Sequence, residues 1–237
     1  MLDLNKFISV VLVEPKYQGN IGAVARSMAN SGISDLRIVK TKIENEAIYR
    51  SMHGKYILDN ATIFENFEDA IDGFSVVAGT SDISKSGEKF SRVPVSPETF
   101  WKKEGLTGRK IALVFGREDN GLHNNELAKC NFFIKIIGSP GYPVYNLSHA
   151  VAIILYEMIK YNYEGNSNIV HDIIDGNKTM VMSNRIEELL TDINYGDPQK
   201  RILMTMINRI IGRADITNSE YFKLMGILRQ TIKRIKK

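Results

Sequence analysis

Cysteine and histidine are scarce in this chain of 237 residues, and long apolar runs are missing altogether. The single cysteine, Cys130, excludes an intramolecular disulfide and a thiolate-rich zinc site, and suits a reducing compartment. The four histidines, His53, His123, His149 and His171, are too far apart for an H-E-x-x-H pair or a similar ligand set, so no resident metal is expected. Nowhere do about 18 apolar residues follow one another, and Met1 to Lys6 carry no basic leader into an apolar stretch. A soluble, cytoplasmic protein with no membrane partner is therefore expected. Internal repeats and low-complexity tracts are lacking too.

Three familiar ligand signatures are also absent. The turn after the first strand has glycines at Gly19 and Gly22, which breaks G-x-G-x-x-G. The next strand runs into Lys40, Thr41 and Lys42, where a dinucleotide site needs an acid for the ribose. No G-x-x-x-x-G-K-[ST] occurs, and Ser148 lacks the glycines of a nucleophile elbow. Nicotinamide dehydrogenases, P-loop enzymes and serine hydrolases drop out on these grounds.

What is present is an ordinary balance of 43% hydrophobic and 24% charged residues, enough for one large domain and a small one. Residues 7–13 read as a buried central strand stopped by Glu14 and Pro15. Residues 19–30 read as a helix, with Asn20 able to cap it, Ile21, Val24, Ala25 and Met28 at helical spacing, and Ser31 and Gly32 ending it. Further strands are expected over 36–39, 74–78, 111–115 and 132–136, separated by helices near 67–71, 97–103 and 124–129. This alternation implies an α/β fold, an open parallel sheet with helices on both faces. From Leu147 to Met158 one apolar stripe marks another helix. The division expected is 1–163 for this domain, 164–178 for a linker, and 179–237 for a helical basic domain.

In that last part Asn184 with Glu187 reads as a cap, Leu203, Met206, Ile207 and Ile210 as a buried stripe closed by Gly212, and Thr217 with Glu220 as a capping box. Arg229, Lys233, Lys236 and Lys237 are expected on one face of the last helix, opposite Leu224, Leu228 and Ile235. Residues 178–237 hold 12 Lys+Arg against 6 Asp+Glu, whereas 1–177 hold 19 against 21. A basic tail suits a phosphate-rich partner, or simply a solvated helix surface.

Three polar loop clusters remain for chemistry: Asn20 with Arg26; Gly116, Arg117, Glu118, Asp119, Asn120 and Gly121; and Asn146, Leu147 and Ser148. Gly116 and Gly121 allow close backbone approach to a ligand, and the amides that open the helix after Asn146 can grip polar atoms. Each residue alone has a bland explanation, as a turn glycine, an N-cap or half of an ion pair. All three clusters at the edge of one sheet point to a ligand site.

Those clusters carry a resemblance. The sequence resembles the SPOUT class of methyltransferases and, within it, the SpoU branch, through Asn20–Arg26, Leu113–Leu122 and Asn146–Val151, in the family's order and at its intervals. The helical extension, the run Gly116, Arg117, Glu118, Asp119, and the segment 151–157 are similar to the TrmJ group, which methylates the ribose 2′-hydroxyl of tRNA nucleotide 32. The resemblance implies a C-terminal trefoil knot, which periodicity could not reveal, and a homodimer in which Arg26 of one protomer completes the partner's site. It implies S-adenosylmethionine as cofactor, held largely by backbone groups against Gly79, Thr80, Ser81, Gly116, Glu118, Asn120, Gly121, Ile136, Gly138, Leu147 and Ser148. Catalysis would fall to Arg26, Asn20, Glu118 and Ser148. Arg26 would orient the 2′-hydroxyl or its neighbouring phosphate, since a guanidinium stays protonated. tRNA would be the partner, with no DNA, contacted by Arg26, by Lys85, Lys89 and Arg92 in a loop with fewer arginines than many relatives have, and by Arg229, Lys233, Lys236 and Lys237. Two alternatives stay open: a SpoU enzyme acting on ribosomal RNA or another tRNA position, and a non-catalytic RNA-binding relative.

Overall fold

A computed structural model of the protein describes residues 6–80, 94–104, 108–163 and 172–236. In chain order the elements are β1 (Ile8–Val13), α1 (Gln18–Asn30), β2 (Asp35–Val39), α2 (Asn45–Ser51), a 3-10 turn (Met52–Gly54), α3 (Lys55–Asp59), β3 (Thr62–Phe64) and α4 (Phe67–Ala70). They continue with β4 (Val76–Thr80), α5 (Pro97–Glu104), β5 (Ile111–Phe115), α6 (Asn124–Lys129), β6 (Phe132–Ile134), α7 (Leu147–Tyr163), α8 (Gly176–Asp192), α9 (Asp197–Arg213) and α10 (Asn218–Ile235). No helix among the described residues is long and apolar enough to cross a membrane.

The six strands form one parallel sheet in the order β3-β2-β1-β5-β4-β6. A parallel sheet must bury both faces, and β1 explains how. Ile8, Val10 and Leu12 pack with α1, α5 and α7, whereas the alternate Val11 and Val13 pack with α4 and α6. On the first face Trp101 and Phe100 of α5 are wholly buried, and the Trp101 indole donates to the carbonyl of Ile154 at 2.8 Å. Burying side chains of that size stabilises the layer by about 2–3 kcal/mol each.

The expected strands and helices of this sheet fall where the pattern put them, with shifted ends: β4 begins at Val76 and β6 stops at Ile134. The sequence pattern missed α2, the 3-10 turn, α3 and β3. α2 leans on α1 at Gly22, where a Cβ would lie 2.3 Å from the carbonyl oxygen of Ala47.

The last three helices form their own apolar cluster around Ile174, Met182, Ile211, Tyr221 and Met225. Several details of the sequence reading are corrected here. α8 starts at Gly176, capped by Asp175, so the end of the expected linker is helical and Asn184 lies mid-helix, not at a cap. Gly212 lies inside α9, whose buried face is Met204, Ile211 and Gly212, while Met206 and Ile210 are exposed. The Thr217–Glu220 capping box forms as expected. On α10 the buried residues are Tyr221, Met225 and Ile232, and Leu224 and Ile235 face solvent.

α9 is fastened to the sheet. Arg109, almost wholly buried, donates to the carbonyl of Gly212 at 3.1 Å, pairs with Asp215 at 2.9 Å and also pairs with Glu104. Asn131 accepts from Val77 N and donates to Ser75 O, and its side chain occupies the space that a Cβ on Gly212 would need.

Candidate functional site

The carboxyl ends of β4, β5 and β6 open into a cavity of about 300 Å³, where α/β sheets commonly hold ligands. Its apolar lining comes from Phe115, Leu122, Ile134, Ile136 and Leu147, and its polar lining from Thr80 and the loop between Gly116 and Gly121. Pro143, Val144 and Tyr145 line it from the segment that leads into α7.

The loop after β5 is held by its own backbone. Arg117 N donates to Gly121 O at 3.2 Å and Gly121 N to Arg117 O at 2.9 Å, with Gly121 at φ 65°. A Cβ on Gly116 would lie 2.2 Å from the carbonyl carbon of Gly121. The glycine that the sequence offered for close approach to a ligand instead allows the loop to fold on itself.

Arg117 fixes this loop to two distant acids. Its guanidinium meets Glu126 at 3.0 and 3.1 Å and Glu14 at 2.8 and 3.0 Å. The hydrogen bond from Arg117, assisted by Lys40, holds the Glu14 carboxyl at about 2, well below its ordinary value of 4.5. The same bonds, that of Glu126 first, push the Arg117 guanidinium upward. Sequence reasoning placed Arg117 in the second loop cluster but gave it no role of its own, because acids 103 residues before it and 9 residues after it share no motif spacing.

Glu118 links the loop to the start of α1. Its carboxylate accepts from Lys16 N at 2.8 Å, from Tyr17 N at 3.3 Å and from the Asn20 amide at 2.8 Å. A carboxylate on free amides at a helix start is favoured by the helix dipole as well as by the bonds. Asn20 therefore does not cap its helix. Glu118 does so from across the chain, and the N-cap residue Tyr17 makes no side-chain cap. Asn20 in turn accepts from Asn146 at 3.1 Å, and Asn146 Oδ1 takes both the backbone N–H of Ser148, at 2.9 Å, and its hydroxyl, at 2.8 Å. Beside this network Lys16 pairs with Asp119, whose carboxyl it pulls down while its own ammonium is pushed up.

One hydrogen-bonded chain thus joins Ser148, Asn146, Asn20 and Glu118 beside the cavity. Of the sequence-expected cofactor residues, Thr80, Gly116, Glu118, Asn120, Gly121, Ile136 and Leu147 line it, with Asp119 of the same loop cluster, together with Lys135, Tyr145 and Ala150, which were not expected. Gly79, Gly138 and Ser148 are not in the lining. Gly79 has no room for a Cβ, which would lie 2.8 Å from Cys130 Sγ, and Gly138 lets Pro143 fold over it. Ser81, Lys85, Lys89, Arg92 and Lys237 lie outside the described residues.

Arg26 is exposed, on α1, and makes no hydrogen bond or ion pair with the network of its own chain. Arg229 and Lys233 are exposed on α10, whereas Lys236 is tied to Glu188 at 2.7 Å and Asp192 at 3.1 Å. Among the described residues no His, Cys, Asp and Glu side chains cluster as a metal site.

The model of the SpoU rRNA Methylase family matches residues 8–156. The chain is 36% identical to the tRNA (cytidine-2'-O-)-methyltransferase TrmJ of Methanocaldococcus jannaschii, over 92% of this chain and 97% of that relative. It is 33% identical to the tRNA (cytidine/uridine/adenosine-2'-O-)-methyltransferase TrmJ of Pseudomonas aeruginosa, over 95% of this chain and 94% of the relative. Among solved structures, TrmJ from Z. mobilis ZM4 shares the fold with a TM-score of 0.72 at 23% identity, covering 94% of this chain and 97% of that one.

Proposed function

The chain belongs to the SpoU rRNA methylase family, and from that premise we propose that it methylates the ribose 2′-hydroxyl of cytidine or uridine 32 in tRNA, with S-adenosylmethionine as methyl donor. The observation that carries the reading is the continuous network from Glu118 through Asn20 and Asn146 to Ser148, which joins three separate motifs beside a cavity that Glu118 lines. Relatives over almost the whole chain bear names of tRNA 2′-O-methyltransferases, which favours this substrate over ribosomal RNA.

The cavity suits the cofactor. Phe115, Leu122, Ile134 and Leu147 offer an apolar seat for a purine, the folded loop from Gly116 to Gly121 offers backbone donors and acceptors, and the Glu118 carboxylate offers negative charge to a sulfonium. Bound there, S-adenosylmethionine supplies an electrophilic methyl group. The chain's own residues must align the 2′-hydroxyl with it and stabilise the alkoxide character that develops on that oxygen. Arg26 performs this as a fixed cation, orienting the hydroxyl or the adjacent phosphate, and the hydroxyl proton leaves to that phosphate or to water. Asn20, Glu118 and Ser148 hold the loops in register rather than move protons.

The isolation of Arg26 from its own network supports a homodimer in which it serves the partner's cavity. A trefoil knot through the segment entering α7, and a separate RNA-contacting role for α8, α9 and α10, belong to the same proposal. The test is mass spectrometry of nucleosides from tRNA incubated with the enzyme and S-adenosylmethionine. The expected product is 2′-O-methylcytidine or 2′-O-methyluridine that maps to position 32. Product at another ribose relocates the target, and tRNA binding without any methyl transfer assigns the chain to non-catalytic RNA binding.

A further inference from the structure

Beside Arg26 the structure builds a second cationic feature that the three motifs do not include. α2 and the 3-10 turn after it are pressed against α1 through two glycines. A Cβ on Gly22 would lie 2.7 Å from Arg50 Cβ, and a Cβ on Gly54 would lie 2.7 Å from Ala25 O and 2.9 Å from Arg26 N. Gly22 and Arg26 stand one helical turn apart on α1, so Arg50 is seated a turn away from Arg26. His53 directly precedes Gly54, whose backbone lies against that of Ala25 and Arg26.

Arg26, Arg50 and His53 are all exposed, and among the described residues none of their side chains makes a hydrogen bond or ion pair. Lys16, Arg37, Lys40 and Lys55, by contrast, are each tied to an acid. Glu46, one turn before Arg50 and well spaced to neutralise it, is turned toward Gly19, where a Cβ would meet its Oε1 at 2.9 Å. Between Arg50 and His53 the backbone of Met52 takes φ 50°, a region that costs a side-chain-bearing residue about 1–3 kcal/mol and persists only where its surroundings enforce it.

We propose that Arg50 and His53 extend Arg26 into a strip that binds successive phosphodiester groups of the RNA strand carrying the target ribose. Glycine packing presets the spacing of the strip, and the turning of Glu46 toward Gly19 leaves the donors of Arg50 available to an anion. Arg50 supplies a fork that matches two phosphate oxygens, and His53 a further N–H donor. The inference rests on the reading of the cavity as an RNA methyltransferase site.

The test is fluorescence anisotropy of full-length protein with unfractionated tRNA over a range of KCl concentrations, for wild type, Arg50→Gln, Arg50→Lys and His53→Ala. Loss of one phosphate contact lowers the slope of log affinity against log salt by about 0.7–0.9. At low salt, Arg50→Gln is expected to weaken binding about tenfold, the usual worth of a charge-assisted hydrogen bond. Arg50→Lys, which keeps the charge and loses the fork, should restore the slope but only part of the affinity. Affinity for S-adenosylmethionine should not change, which separates the strip from the cavity. If both Arg50→Gln and His53→Ala keep wild-type slope and affinity, or if Arg50→Gln acts only by weakening subunit association, the strip is overturned. If wild type binds tRNA through the strip yet yields no methylated nucleoside, the catalytic reading fails and the strip stands.

Discussion

Arg117 shows how one residue can hold a loop that serves chemistry without entering it. Its contact with Glu126 is buried and that with Glu14 is partly open to water, and the Glu14 carboxyl is set at about 2 against an ordinary value of 4.5. Because the folded value is depressed, the stabilisation is complete above about 4.5 and is lost as pH falls from there toward 2. Glu14→Gln should therefore unfold at lower urea than wild type at pH 7, and the gap should close in acid. Urea midpoints measured across that window check this, and a gap that persists undiminished at the acid end would refute it. Arg26 poses the complementary case, an arginine with no intramolecular partner to keep. Arg26→Lys keeps the charge and removes the planar fork, so turnover at saturating tRNA should fall at least about tenfold with S-adenosylmethionine affinity unchanged. Near-wild-type turnover would mean that charge alone suffices.

At the scale of elements, the joint between α9 and the sheet decides how the basic helices are presented. Gly212→Val places atoms where the Asn131 side chain lies, and overpacking of this kind costs about 1–3 kcal/mol. Arg109→Met removes the bond to Gly212 O and the pair with Asp215, leaving Glu104 buried without its arginine. Both variants should speed hydrogen exchange in 176–236 and raise KM for tRNA, while cofactor affinity holds. Unchanged exchange in α9 would show that the joint does not depend on these groups. The sheet itself was legible in the sequence because β1 and β5 are continuous apolar strands and α1 and α7 carry clean stripes. α2 and α3 were not, since short helices hold too few turns for a periodic signal. The faces of α9 and α10 were misassigned for a related reason: apolar residues lie all around both helices, and tertiary contacts, the joint at Gly212 for α9 and the cluster with Met182 and Ile211 for α10, select which side is buried. The site was legible at its motifs, yet the bonds from Glu118 to Lys16 and Tyr17 were not, because sequence spacing holds no record of which backbone amides a loop will meet.

For the molecule as a whole, the separation between Arg26 and the network of Asn20, Glu118, Asn146 and Ser148 sets a problem that one chain does not solve. Both lie on or beside α1, but Asn20 is bonded into the network and Arg26, six residues or about 9 Å further along the helix axis, has no bond to it. The proposed twofold pair of chains would resolve this, because a helix shared at an isologous contact would bring each protomer's arginine to the other's cavity. The arrangement is open to complementation. Arg26→Ala retains an intact cavity without its arginine, and Glu118→Ala retains the arginine beside a disordered loop, so each alone should be nearly inactive. After the two are unfolded together and refolded, random pairing makes half the dimers mixed, each with one competent site, and activity should recover to about a quarter of wild type. An arginine acting within its own chain predicts no recovery at all, since every cavity in the mixture would then lack either its loop or its cation.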